Sequence, residues 1–274
     1  MFSDYFLQYI IIMPKKNKSK SGKNVGIIVS CIVILLCFIA AMQYVLKMYG
    51  KTATQEENMN HEDFGINMPQ NFSIHGIDIS SYQEKINWAK VQTMQSQNIK
   101  IGFAYIKATK GLNDVDKTFK DNWANAHAAG IPCGAYHFFI ANKSGTAQAA
   151  NFIKNVQLKP GDLPPVVDIE KLYNTPPQLV RNELKKYLNA IEQFYHVQPV
   201  IYSYASFYND YLSRDFDDYP LWVAHYFEEH NPRVNRHWDF WQHSENGRVY
   251  GISTPVDFNV FNGDSTAFKS LLMK

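Results

Sequence analysis

Cysteine is scarce in this chain of 274 residues, with three in all. Cys31 and Cys37 fall in one apolar run and only Cys133 lies in the body, so no disulfide can form within the folded domain. A domain of roughly 200 residues does without one, because size alone lets it bury about 70% of its unfolded surface. No CxxC or HExxH pair occurs, which disfavours zinc, and no GxGxxG turn marks a dinucleotide site. Charge of one sign is also lacking: 27 Lys plus Arg face 25 Asp plus Glu, and the small excess sits before residue 76. A neutral body with no basic stripe lacks the footprint that phosphate backbones require, so nucleic acid is excluded as a partner. The surplus is aromatic, with 17 Tyr, 18 Phe and 5 Trp. Such rings fill a core or stack on sugar faces, and composition alone leaves both open.

One long apolar run exists, VGIIVSCIVILLCFIAAMQYV at 25–45, without a charge. At 1.5 Å per residue it spans about 30 Å, the thickness of a bilayer core. PKKNKSKSGK precedes it, and the positive-inside rule keeps those lysines cytoplasmic. A cleaved signal peptide is the rival, but its apolar region is shorter and Ala40-Ala41-Met42 is a poor cleavage site. The expectation is a basic leader at 1–24, a single transmembrane helix at 25–45, a polar tether at 46–73 and a folded domain at 74–274 on the non-cytoplasmic side of the cell membrane. Met13 opens a conventional short basic leader, which makes it the alternative start to Met1.

From His75 onward, short runs rich in Val, Ile, Tyr and Phe alternate with stretches of helical period. Strands are expected at 75–80, 100–109, 132–139, 164–170, 198–204, 220–226, 239–244 and 256–261, and helices at 86–97, 116–129, 145–157, 178–195 and 205–213. The first five strands are each followed by a helix. The last three are joined by loops too short for a crossover helix, as adjacent antiparallel strands are. This predicts an α/β fold, a modified TIM-like β/α barrel of five β/α units with a helix-poor closing side. An open doubly wound sheet is the competing fold.

Chemistry in such a barrel belongs at the carboxyl ends of the strands. Asp78 ends strand one, Asp168 and Glu170 end strand four, and Asp257 lies in strand eight, each inside apolar sequence. An unpaired buried carboxylate costs several kcal/mol, so these acids are either held by structural partners or clustered for catalysis. Asp168 and Glu170, at i and i+2, share one face. Two carboxylates so close cannot both ionise cheaply, so one is driven toward the neutral acid that protonates a leaving oxygen. Glu170, longer and nearer the strand end, is the candidate donor. Paired acids without metal ligands fit glycoside hydrolysis, while a Mg²⁺- or Ca²⁺-binding phosphoesterase is the alternative, disfavoured by the missing basic patch. Tyr136 and His137, Tyr202 and Tyr204, Trp222 and Tyr226, and Trp241 and Gln242 stand near the other strand ends, where each fits core packing as well as a glycan groove.

In order, GIDIS, YIKATKG, GAYHF, PPVVDIE, WVAHY, DFWQHS and VDFNVF resemble the glycoside hydrolase family 25 muramidases over about residues 75–265. The resemblance implies hydrolysis of the β-1,4 bond between N-acetylmuramic acid and N-acetylglucosamine in peptidoglycan; a monomer without cofactor or metal is the accompanying expectation. It implies Glu170 as proton donor, Asp168 as its partner stabilising a substrate-assisted intermediate, Asp78 and Asp257 as further active-site acids, and Tyr136 and Trp222 as substrate-lining aromatics. Tyr202 and Gln242 join them as candidate substrate contacts from their places at strand ends. A tethered glycan-binding protein without activity, and a hydrolase of chitin-like chains, are the alternatives.

Overall fold

The computed structural model describes residues 63–274 together with 58–61, 35 and 39–43. Apart from 35 and 39–43, which are helical, the run 25–45 lies outside the described residues, as do the leader and the start of the tether. Among the described residues no helix is long and apolar enough to cross a membrane. The described residues from Asn58 onward belong to one compact unit.

Eight strands close the barrel: β1 (His75–Ile79), β2 (Ile99–Lys110), β3 (Cys133–Phe138), β4 (Val166–Asp168), β5 (Val200–Tyr204), β6 (Leu221–Ala224), β7 (Phe240–Gly247) and β8 (Val256–Phe261). Neighbours pair in chain order, and β8 and β2 both pair with β1, which completes the ring. Strands β1 to β7 run parallel, and β8 alone runs antiparallel to both its neighbours. The expectation for the last three strands is thus half corrected. β6 and β7 are parallel although only the irregular loop 225–239 joins them, because a crossover needs length and not a helix.

Helices α1 (Trp88–Thr93), α2 (Phe119–Ala128), α3 (Gly145–Asn155) and α4 (Pro177–Tyr195) follow β1 to β4, and a helical turn at 205–212 follows β5. The longest, α4, has Pro at its first position, where no N–H is needed, and ends on His196 in the left-handed region at φ 56°. Its Val180, Leu184, Tyr187, Leu188 and Ile191 recur every three or four residues and are buried, which sets one stripe of the helix against the barrel.

Inside the barrel, Phe103, Tyr105, Val166, Val200, Tyr202, Trp222 and Phe240 form a separate apolar cluster. Room for the rings comes from glycine: a Cβ on Gly76 would lie 2.5 Å from the Phe103 ring, and one on Gly134 would lie 2.1 Å from the Tyr105 ring. A last helix, α5 (Ser265–Leu271), closes the amino-terminal floor, with Phe268 packed on Phe103 and Phe261 at ring separations of 5.7 and 5.4 Å.

Part of the expected tether is folded. Asn58–His61 and Ile66–Pro69 pair as an antiparallel hairpin. Phe64 and Met68 are fully buried, Phe64 against Phe258 at 5.2 Å, and Phe64 accepts the Arg248 backbone N–H at 2.8 Å. NMNH and INMP are too short and polar to show a strand period, so their fold is set by two apolar anchors rather than by pattern.

Candidate active site

The four acids converge at one end of the barrel. Asp78, Asp168, Glu170 and Asp257 line a single cleft of about 220 Å³. Asp168 is the last residue of β4, and Glu170 follows two positions on. Asp257 arrives differently: as the second residue of β8 it stands at the mouth because the strand is reversed, and it pairs in register with Asp78.

Asp78, 6% exposed, accepts two hydrogen bonds on the same oxygen, Oδ2, from Gln242 Nε2 and Asn259 Nδ2, each at 2.8 Å. Neither amide is free to turn. Tyr202 and Tyr226 donate their hydroxyls to Gln242 Oε1 at 2.8 and 2.6 Å, and Trp222 donates its indole N–H to Asn259 Oδ1 at 2.8 Å. With each carbonyl occupied by a donor, each NH₂ must face Asp78.

Burial outweighs these bonds and pushes Asp78 up to about 6. Burial and the Asp78 charge push Asp257 up to about 9, and the two carboxyls are hydrogen-bonded. At neutral pH the pair therefore shares one proton, and the two carboxyls titrate together. On the far wall, burial raises Asp168 well above the carboxylate range, with the Glu170 charge adding to it, and burial also raises Glu170. Lys107 opposes both rises. Asp168 Oδ1 is buried without a hydrogen-bond partner, a lone pair left for an incoming group.

Lys107, Phe138 and Glu245 also line the cleft, and none stood among the sequence candidates. A signal for Lys107 was present, since it lies two residues after Tyr105 in an apolar strand, the same spacing that singled out Asp168 and Glu170. Its ammonium lies 4.9 Å from the Phe138 ring centre.

Tyr136, Tyr202, Trp222 and Gln242 line the cleft, as do Tyr204 and Tyr226. Tyr136 is half-buried, whereas Tyr202, Trp222 and Gln242 are at most 5% exposed, with their polar groups engaged in orienting the amides. Trp241 and His137 point the other way. Trp241 packs beside Phe72 and Trp238 and donates to the His225 carbonyl. His137 is a structural histidine, bonded to Thr109 Oγ1 at 2.7 Å and Gln148 Oε1 at 3.3 Å, and burial lowers it to about 3. Among the described residues no group of His, Cys, Asp and Glu is arranged to hold a metal ion.

An eight-stranded barrel with inward carboxylates, some held protonated, around an open cleft defines a barrel hydrolase working by acid–base chemistry. The profile of Glycosyl hydrolases family 25 matches residues 77–252. Lysozyme M1 of Streptomyces globisporus is 37% identical over 218 residues, covering 72% of this chain and 71% of the relative. The uncharacterized protein YegX of Escherichia coli O6:H1 is 37% identical over 244 residues, covering 84% and 90%. Among solved structures, a family 25 glycosyl hydrolase from Bacillus anthracis superimposes with a TM-score of 0.69 at 32% identity, covering 75% of this chain and 96% of that one. The bacterial lysozyme from Streptomyces coelicolor gives 0.67 at 35%, covering 74% and 98%. The chain belongs to glycosyl hydrolases family 25 and is a glycoside hydrolase.

Proposed function

We propose that this chain is an N-acetylmuramidase, cutting the β-1,4 bond between N-acetylmuramic acid and N-acetylglucosamine in peptidoglycan. The observation that carries the reading is the convergence of Asp168 and Glu170 on one wall of the cleft with the Asp78 and Asp257 pair on the other. The lysozyme similarity supports the same substrate.

Glu170, held toward its neutral form by burial, gives its proton to the glycosidic oxygen as that bond breaks. The N-acetyl oxygen of the same sugar attacks the anomeric carbon and forms a cyclic cation, which the Asp168 carboxylate stabilises. Once Glu170 is the protonated partner, its charge no longer raises Asp168, and Lys107 favours the ionised Asp168. Water activated by the Glu170 carboxylate then opens the ring from the original face, returning the proton to Glu170 and retaining the β configuration.

Digestion of purified peptidoglycan by the full chain in detergent, beside Glu170→Gln, tests this. The expected result is a new reducing N-acetylmuramic acid end by mass spectrometry, first seen as the β-anomer by proton NMR and reduced about 10³-fold in rate in the variant. A reducing N-acetylglucosamine end, an α-anomer as first product or an equally active variant overturns the corresponding step. Binding without cleavage by a well-folded wild type makes the chain a tethered glycan-binding protein.

The uncharged run 25–45 behind its lysines supports a single-pass anchor with the barrel on the non-cytoplasmic side. Resistance of the membrane-bound chain to alkaline extraction, with the barrel open to external protease, is the expected result, and release into the soluble fraction refutes it.

A further inference from the structure

The catalytic cleft continues beyond the four acids. Tyr226 and Glu245, which line it, also line a second cavity of about 400 Å³ on its flank. One wall is the far end of β7 at 244–246, and another is the start of the loop 225–239, with Phe227 and Glu228. The third is the hairpin strand Ile66–Pro69. The family match starts at residue 77, so this wall lies outside the span that the match covers. The hairpin is fixed in place: Phe64 and Met68 are buried, and Gly65, at φ 69°, runs so close to the Arg248 side chain that a Cβ there would lie 2.4 Å from it. The cavity is therefore preformed.

Phe227 has no packing role that accounts for it. Its side chain is 96% exposed beside an active site, on a backbone at φ 61°. Most exposed apolar side chains need no explanation, but one at the rim of a polar cavity is placed to meet a ligand. His243, 7% exposed and packed against Trp241 and Phe258, forms part of the cavity's lining. The same cavity is lined by Glu245, by Glu228, whose carboxylate is engaged by Arg233 Nε at 3.0 Å and lies 3.3 Å from His225 Nε2, and by the amides of Asn67 and Asn246. An aromatic face takes the C–H face of a pyranose, carboxylates accept its hydroxyls, and amides pair with its N-acetyl group. The Glu245 carboxylate also repels the free carboxylates of a lactyl-linked peptide, which favours a neutral sugar over a peptide stem.

We propose that this cavity is a glycan subsite that binds a neutral N-acetylhexosamine of the strand being cut, with Phe227 as its stacking platform and the hairpin as its outer wall. The proposal rests on the glycosidase reading and adds to it the recognition of sugars beyond the scissile pair. Its consequence is a preference for long strands.

The test uses the full chain in detergent on a ladder of peptide-free peptidoglycan oligosaccharides, with Phe227→Ala and Asn67→Ala. The quantity read is kcat/KM for the longest strand divided by that for the shortest oligosaccharide cleaved. Phe227→Ala is expected to lower this ratio about tenfold and Asn67→Ala about threefold, with thermal unfolding confirming intact folds. An unchanged ratio in Phe227→Ala overturns the proposal, as does a change seen only with peptide-bearing strands, which would place the stem peptide there instead. If the wild type cleaves no member of the ladder, the glycosidase reading fails separately, and calorimetric binding of the same oligosaccharides decides the subsite. Weaker binding of long strands by Phe227→Ala supports it, and equal binding refutes it.

Discussion

Replacing Asp78 with Asn is expected to stabilise the barrel domain at neutral pH. Asp78 is 6% exposed, and burial lifts it from the ordinary 3.8 to about 6. An acid with a raised folded value holds its proton where the unfolded chain has released it. Stability contributed by that site is thus full below about pH 4, falls as pH rises to about 6, and is absent above. At about 1.4 kcal/mol per pH unit, the ionised form is disfavoured by about 3 kcal/mol. Asn carries no such penalty and fits the site. Both donors reach one oxygen of Asp78, so Asn Oδ1 can take that place, and its NH₂ can donate to Asp257 in place of the shared proton. Asp257, relieved of the neighbouring charge that raises it, moves back toward its unfolded value and adds to the gain, while exchanging a charged acceptor for a neutral amide weakens the hydrogen bonds at the site and returns part of it. The net expectation is about 1–3 kcal/mol, or about 3–10 °C in Tm for a domain of this size. Calorimetric unfolding of wild type and variant at pH 4 and pH 7.5 isolates the effect of the carboxyl pair, since titrating groups away from it cancel in the difference. The variant should melt higher at pH 7.5 and at the same temperature at pH 4. Equal or lower Tm at pH 7.5, or a gain that persists at pH 4, refutes the reasoning.

Lys107→Met removes the cation that opposes the rise of both Asp168 and Glu170, so the pH profile of kcat/KM should move to higher pH, with kcat falling about tenfold. An unmoved profile means that Lys107 does not act on the carboxylates. Gly134→Ala puts a Cβ 2.1 Å from the fully buried Tyr105 ring, which should cost about 3 kcal/mol and about 6–12 °C in Tm. A Tm within 2 °C of wild type would show that the ring has room to move.

The barrel was legible because its strands are buried on both faces and read as apolar runs, and because α2, α3 and α4 carry clear helical periods. The acids were legible for a related reason: a carboxylate inside such a run has no bland place to go. Direction was harder. The reversal of β8 is not written in VDFNVF itself; the short loop before it predicts it, by the same argument that fails for β6 and β7, and the pairing of Asp257 with Asp78 shows which end of the strand reaches the mouth. Facing was ambiguous at the strand ends too, since Gln242 points into the cleft while its neighbours Trp241 and His243 point away from it toward Phe72 and Phe258. The hairpin escaped notice because two buried side chains fix it and its strand residues show no period. Lys107 was hidden by its company, because one of three lysines in β2 draws attention only once acids are known to face it.

The reversed eighth strand also decides where the chain leaves the barrel. A parallel strand would deliver it to the rim beside the acids, but β8 carries it down to the opposite end. There α5 packs beneath the barrel, and Met273 exchanges backbone hydrogen bonds with the 161–162 turn at 2.9 and 2.8 Å. A reporter or affinity tag joined after Lys274 would therefore emerge on the side facing away from substrate, leaving access to the cleft unobstructed.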